Sequence, residues 1–96
     1  MGRPINFKFR LYIAGDTLNS MQAIANLTEL CRVYLLDRHV IEVVDVFREP
    51  KRALADRILM TPTLIKLAPV PGQRIVGTLS QTKHVVMALG LEALPA

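Results

Sequence analysis

The start of the chain predicts a strand, a helix and a second strand, and this βαβ unit constrains the fold more than any other feature. Residues 7–14 alternate between apolar and polar side chains, which is the period of a strand with one buried face. A helix is predicted over 20–36, with Asn19 as its N-cap. Its apolar stripe is formed by Ile24, Leu27, Cys31, Tyr34 and Leu35. Residues 40–46 are nearly continuous in Val and Ile, which predicts a strand covered on both faces.

A second helix is predicted after this unit. Glu49-Pro50 opens it, because proline suits the first helical position. The helix is expected to run to about Met60, with Leu54 and Ile58 turned inward. Thr61-Pro62 then ends it.

The remaining residues predict two short strands and a last helix. The strands cover 63–67 and 74–76, and the turn 69–72 lies between them. Ser80 is expected to cap the helix. The buried stripe of this helix is predicted to be Val85, Val86 and Leu89.

The resulting order, β-α-β-α-β-β-α, is the order of the thioredoxin fold, an α/β class. That fold places a cis-proline before its third strand, and Thr61-Pro62 occupies this place. With 96 residues, one domain over 1–96 is expected, with frayed ends at 1–6 and 93–96.

Composition excludes several classes of function. The net charge is +4, but the basic residues are scattered and the densest stretch, 48–57, also contains Glu49 and Asp56, so no nucleic-acid partner is expected. No apolar run approaches the roughly 20 residues of a membrane helix. One cysteine forms no internal disulfide, which favours the cytoplasm. Hydrophobic residues make up 51% of the chain, which indicates either a well-filled core or an apolar surface for oligomers or partners.

The sequence does not predict an enzyme. Thioredoxin-like redox chemistry needs a low-pKa thiolate at the start of the first helix, but residues 15–20 contain no sulfur. Cys31 lies on the apolar stripe and is expected to be a core residue. His39 and His84 are far apart and have no metal-ligand spacing. No cofactor or metal site is predicted.

Several segments in order resemble the KaiB family of bacterial clock proteins. The most specific is 56–66, which reads DRILMTPTLIK. The others are LYIAG at 11–15, NS at 19–20, VVDV at 43–46 and RIVGTLS at 74–80. The resemblance covers about residues 7–92.

This resemblance implies a non-enzymatic protein that docks on a KaiC-like ATPase, in circadian or in stress or metabolic signalling. KaiA is a further implied partner, and an adaptor that binds a histidine kinase is the alternative. The family also implies a homo-oligomer, a dimer or a tetramer. Its C-terminal half adopts either a thioredoxin-like or a KaiB ground-state arrangement.

The resemblance also assigns roles to particular residues. The implied partner-binding surface comprises Arg10, Lys51, Arg52, Asp56 and Arg57. Lys66 and Arg74 are implied at an oligomer or cleft surface. The implied fold-switch region contains Pro62, Pro69, Pro71, Ala88 and Gly90.

Five positions depart from the family pattern. Ala88 stands where Gly is common, Gly90 where Asp is common, and Glu42 where Lys is common. Val70 stands in a run that is often all proline, and Gln73 where Arg is common. Ala favours a helix interior over Gly by roughly 1 kcal/mol, so Ala88 and Gly90 are expected to act in opposite directions on the last helix. Their net effect on the two arrangements stays open at this point.

Overall fold

The computed structural model describes residues 6–91, which form a four-stranded sheet and three helices. The elements are β1 (Phe7–Ile13), α1 (Leu18–Tyr34), β2 (His39–Asp45), α2 (Pro50–Ala55), β3 (Thr63–Ala68), β4 (Gln73–Val76) and α3 (Thr82–Leu89). This order confirms the predicted thioredoxin-like α/β fold. The expectation of frayed ends falls almost entirely on residues outside the described range and stays a prediction.

Strand β1 lies inside the sheet, whose order is β2-β1-β3-β4. It pairs in parallel with β2 and antiparallel with β3, and β4 pairs antiparallel with β3. The predicted alternation in β1 is present. Phe7, Phe9, Leu11 and Ile13 enter the larger core with α1 and α3, whereas Tyr12 enters a smaller core beneath α2.

The two cores differ in size, and the sheet face that packs against the smaller core is more exposed to solvent. The larger core joins residues of β1, α1, β3 and α3 and contains Cys31 and the predicted stripe of α3. The smaller core consists of Tyr12, Val44, Ala53 and Ile65, with Val46 and Ile58 packed against it. Because α2 has only six residues, it leaves much of this sheet face uncovered. Val40 and Val76, for example, remain 58% and 56% exposed.

Helix α1 begins earlier than the sequence predicted. Thr17, not Asn19, is its N-cap, since the Thr17 side chain accepts a hydrogen bond from the Ser20 amide. Ser20 is itself buried, and its hydroxyl accepts a hydrogen bond from the Ala14 amide. In the predicted stripe, Leu27, Cys31 and Leu35 are buried and Ile24 is partly buried, whereas Tyr34 is exposed at the end of the helix.

Two predictions of burial were wrong. In β2, Val40 and Val43 are exposed and only Val44 is fully buried, so the run of Val and Ile is not covered on both faces. The strand also lies at the edge of the sheet, where it pairs only with β1. Helix α2 ends at Ala55, and Arg57 adopts a left-handed backbone with φ of 56° that cannot continue a helix. Leu54 lies within the helix and is 78% exposed, whereas Ile58 does pack inward after the turn.

The prolines of the second half bracket β3. The Thr61–Pro62 bond is cis, as predicted, and Ala68–Pro69 and Val70–Pro71 are cis as well. The last helix begins at Thr82 with Gln81 as its N-cap, so the prediction that Ser80 caps it was wrong. Its buried residues are Val85, Val86 and Leu89, as the sequence predicted.

Candidate partner-binding site

The end of α2 is fixed to the sheet through one carboxylate. Asp56 follows the last residue of α2, and its Oδ2 accepts hydrogen bonds from the Tyr12 hydroxyl at 2.5 Å and from Arg10 Nη1 at 3.0 Å. Both partners lie on β1 and, two residues apart, point to the same face. The Tyr12 side chain is fully buried, and its hydroxyl has a second acceptor in the Arg52 main-chain oxygen at 3.2 Å.

A chain of ion pairs extends from this contact across the sheet. Arg10 lies opposite Glu42 in the β1–β2 register, and Arg10 Nε is 2.9 Å from Glu42 Oε1. The other oxygen of Glu42 is 2.8 Å from Arg52 Nη2 on α2. Arg52 also pairs with Glu49 at 3.3 Å, one turn earlier. The network thus ties α2 to β1 and β2.

These contacts hold the carboxylates in their charged form. The Tyr12 hydrogen bond lowers the pKa of Asp56, and Arg10 adds to this effect against the opposing effect of burial. Hydrogen bonds from Arg10 and Arg52 lower the pKa of Glu42. Conversely, burial and the neighbouring Asp56 raise the pKa of Tyr12, which keeps the phenol neutral. The network is therefore fully formed at neutral pH.

The structure divides the predicted docking residues into two groups. Arg10, Arg52 and Asp56 are brought together, but they bind one another and hold α2 in place. Lys51 and Arg57 are exposed and form no ion pair within residues 6–91. We call these five residues the α2 surface, in which three residues fix the helix and two present free cations.

Sequence reasoning missed three members of the network, namely Tyr12, Glu42 and Glu49. Tyr12 could have been found, because the alternation of β1 places it on the same face as Arg10. Glu42 could not, because its pairing with Arg10 depends on the register between β1 and β2.

Lys66 and Arg74 lie on opposite faces of the sheet. The guanidinium of Arg74 donates to the main-chain oxygen of Asp56, which brings it to the α2 side. Lys66 is only 5% exposed; its Nζ lies 3.5 Å from the Leu89 carbonyl oxygen and 5.8 Å from the Phe7 ring centre. In this arrangement Lys66 is thus part of the interior beneath α3, so its role at an oligomer surface stays a prediction for another arrangement.

The fold-switch residues border the C-terminal elements. Pro62 precedes β3, Pro69 and Pro71 lie in the β3–β4 turn, and Ala88 is in α3. Gly90 follows the last helical residue and has a left-handed φ of 75°. It is therefore a helix cap outside the helix interior, so the helix-interior propensity argument applies to Ala88 and not to Gly90.

Redox proteins of this fold have thiols at the start of the first helix. In this chain the start of α1 has the hydroxyl groups of Thr17 and Ser20 and no sulfur. Ser20 uses its hydroxyl at the start of α1 to bind the β1–α1 connection. Cys31 has no exposed surface, and burial raises its pKa to about 12. Within residues 6–91, no three His, Cys, Asp or Glu side chains are grouped so that they could hold a metal ion. None of the described helices is long and apolar enough to cross a membrane.

Comparison with known families identifies the chain. The KaiB domain model matches residues 10–91. The chain belongs to the KaiB family. The circadian clock protein KaiB3 of Synechocystis is 46% identical over 86 residues, which are 90% of this chain and 82% of that protein. The circadian clock oscillator protein KaiB of a Synechococcus species is 42% identical over 82 residues, 85% of this chain and 74% of that protein. This KaiB-family chain is thus related to clock proteins over nearly its whole length.

Solved structures agree with the fold of this KaiB-family chain. Chloroplastic thioredoxin z superposes with a TM-score of 0.75 at 17% identity, covering 93% of this chain and 80% of that one. The N-terminal domain of Synechococcus elongatus SasA superposes with a TM-score of 0.73 at 18% identity, covering 100% and 94%. At such identities the likeness concerns the fold alone.

Proposed function

We propose that this KaiB-family protein is a regulatory protein without catalytic activity that docks on a KaiC-like ATPase through the α2 surface. The observation that carries the proposal is the placement of α2. Ion pairs of Arg10, Arg52 and Asp56 fix this helix on the sheet, while Lys51 and Arg57 remain free for a partner. A surface that is ordered before binding loses less conformational entropy when the partner arrives.

The competing function is thiol redox chemistry, since thioredoxins share this fold. The thiolate is the reactive form of cysteine. Cys31 is the chain's single cysteine, it is fully buried, and its pKa is raised to about 12. The start of α1 therefore lacks the nucleophile that this chemistry requires, which favours a binding role.

We also propose that the protein rests as a homo-oligomer, either a dimer or a tetramer. Its C-terminal half then rearranges into the thioredoxin-like form, and this form binds the ATPase. A partner that binds one of two arrangements shifts the population towards it. The half-covered α2 face, where Val40 and Val76 are more than half exposed, offers apolar surface for self-association.

Gel filtration with the KaiC-like ATPase of the same organism tests the docking. We expect co-elution at micromolar concentration in the presence of ATP after incubation for days. A double substitution of Lys51 and Arg57 by Glu should abolish it, because both free cations of the α2 surface are reversed. Lys83→Glu is the matched control, since Lys83 is an exposed cation on α3. Separate elution of the two wild-type proteins under all these conditions would refute the docking.

A histidine kinase is the second candidate partner that we propose, and KaiA is the third. If the ATPase and the kinase use the α2 surface, they compete, and the ATPase should displace the kinase from an immobilised complex. Kinase binding that survives both the ATPase and the double Lys51 and Arg57 substitution would assign the kinase to another surface. A strain that lacks the protein distinguishes the two roles. Loss of rhythm in constant conditions would indicate a circadian role, and loss of survival under stress would indicate a stress or metabolic role.

A further inference from the structure

An apolar groove opens beside α2, on the side where the chain leaves the helix for β3. It has a volume of about 260 Å³ and lies between Val46 and Phe47 on one side and Ile58, Leu59 and Met60 on the other. Phe47, Leu59 and Met60 are 73%, 93% and 63% exposed. We call these three side chains the apolar rim. Large apolar side chains clustered at a groove indicate a binding surface, whereas single ones do not.

The charges around the groove are unbalanced. Three of the neighbouring carboxylates are used within the protein: Asp45 accepts hydrogen bonds from the Gly15 and Phe47 amides, Glu49 pairs with Arg52, and Asp56 binds Tyr12 and Arg10. A fourth, Asp16, is exposed beside Arg48. The neighbouring cations Arg48, Lys51 and Arg57 are exposed and have no ion pair within residues 6–91. The groove therefore presents apolar surface bordered by free positive charge, and it complements an apolar segment bordered by carboxylates.

The main chain at the groove is also available. Residues 59–61 lie in no helix or strand. Their amide groups donate no hydrogen bond to any atom of residues 6–91. Main-chain donors beside exposed apolar side chains suit an extended peptide segment, which offers carbonyl oxygens and alternate side chains.

We propose that this groove binds an extended segment of the partner protein that carries bulky apolar side chains flanked by Asp or Glu. The inference deepens the proposed function and rests on it only for the identity of the partner. In this arrangement the apolar rim supplies most of the binding free energy, as buried anchors do at protein interfaces. The free cations supply attraction and orientation.

A peptide titration followed by NMR tests the groove without the ATPase. The probe is the capped peptide EDLFLDE, and its control is KKLFLKK, which has the same apolar centre and the opposite charge. We expect the acidic probe to shift the signals of residues 46–61 in a saturable manner and the basic control to leave them in place. Equal shifts with both peptides, or no shift with either, would overturn the proposal.

A pair of matched variants tests whether the apolar rim supplies the binding free energy. Leu59→Ser should weaken binding of the acidic probe by about fivefold or more, because it removes a rim side chain. The control is Val70→Ser, which removes an apolar side chain of 85% exposure from the β3–β4 turn and should leave binding unchanged. Surface substitutions of this kind rarely alter folding. An equal effect of both variants would overturn the assignment to the groove.

Two further outcomes separate this inference from the proposed function. If the acidic probe binds at the groove and the ATPase does not co-elute, the docking on the ATPase fails and the groove assignment stands. If a wild-type dimer becomes a monomer in Leu59→Ser and the probe does not bind, the groove is an interface between copies of this chain, and the peptide proposal is wrong.

Discussion

The Tyr12 hydroxyl donates a 2.5 Å hydrogen bond to the Asp56 carboxylate and thereby joins the C-terminal end of β1 to the residue that follows α2. Helix α2 has only six residues and one buried side chain, Ala53, so apolar burial holds it weakly. The Tyr12 hydroxyl also lies 3.2 Å from the Arg52 main-chain oxygen, so two acceptors of α2 and its C-cap surround this one donor. These polar contacts help to hold so short a helix in a fixed position. The position of the α2 surface thus depends on a hydrogen bond within the protein.

Asp56→Asn should make the protein less stable at neutral pH by about 1–3 kcal/mol, since it removes a charged acceptor from Tyr12 and Arg10. The folded-state pKa of Asp56 is lowered. Its contribution is therefore complete above the unfolded-state pKa of about 3.9 and is lost as the pH falls through the folded-state value. Urea unfolding between pH 7 and 2 should show a smaller loss of stability in Asp56→Asn than in the wild type.

Asp37→Asn is the control for this experiment, because Asp37 is exposed and has no hydrogen bond or ion pair within residues 6–91. It should retain both the wild-type stability and the wild-type pH profile. A parallel decline of the wild type and Asp56→Asn below pH 4 would show that Asp56 does not carry the acid sensitivity.

Glu42→Lys introduces the residue common in the family and should weaken the attachment of α2. The substitution breaks the ion pairs with Arg10 and Arg52 and leaves three cations together. Because the Glu42 side chain is 43% exposed, the expected loss is modest, about 1 kcal/mol at low salt, and it should shrink at high salt. Thermal unfolding at two salt concentrations measures this difference, with Glu42→Gln as the uncharged control. A loss independent of salt would point to packing and not to charge.

The fold could be predicted from local patterns, but the site could not. Signals such as the alternation of β1, the stripe of α3 and the position of Pro62 contributed to the predicted element order, because each can be read from a few neighbouring residues. Val40 shows the limit: a run of Val and Ile does not distinguish an edge strand from a central one. The site depends on contacts between residues far apart in the chain, such as Arg10 with Glu42 and Tyr12 with Asp56, and the pairing register sets these contacts.

The Cys31 thiol should be inert in the folded protein. It has no exposed surface and its pKa is raised to about 12, so both access and the thiolate form are suppressed at pH 8. We expect a colorimetric disulfide reagent to react at least about a hundredfold more slowly than in denaturant. Asn19→Cys in a Cys31→Ala background is the control, since this position is exposed in the first turn of α1 and should react quickly. Equal rates for native and unfolded wild type would contradict the burial of the thiol.

Ala88 and Gly90 should both stabilise the thioredoxin-like arrangement. Ala88 lies within α3, where Gly would cost about 1 kcal/mol. Gly90 lies just beyond the helix with φ of 75°, where its amide donates to the carbonyl oxygens of Met87 and Val86. A residue with a Cβ pays about 1–2 kcal/mol in this left-handed conformation. The two departures from the family pattern therefore act in the same direction.

Ala88→Gly and Gly90→Asp test this directly, because each introduces the residue that the family resemblance implies for that position. Each should lower the free energy of unfolding of this arrangement by about 1 kcal/mol, and the two changes should roughly add if α3 and its cap contribute independently. NMR signals of 82–91 would report the loss, as growing intensity for a second arrangement or for an unfolded helix. Ala25→Gly, at an exposed site in α1, is the control: it carries the same helix cost and should not change those signals selectively. A stabilising effect of Gly90→Asp would contradict the cap assignment, since it would require the residue to leave the left-handed conformation.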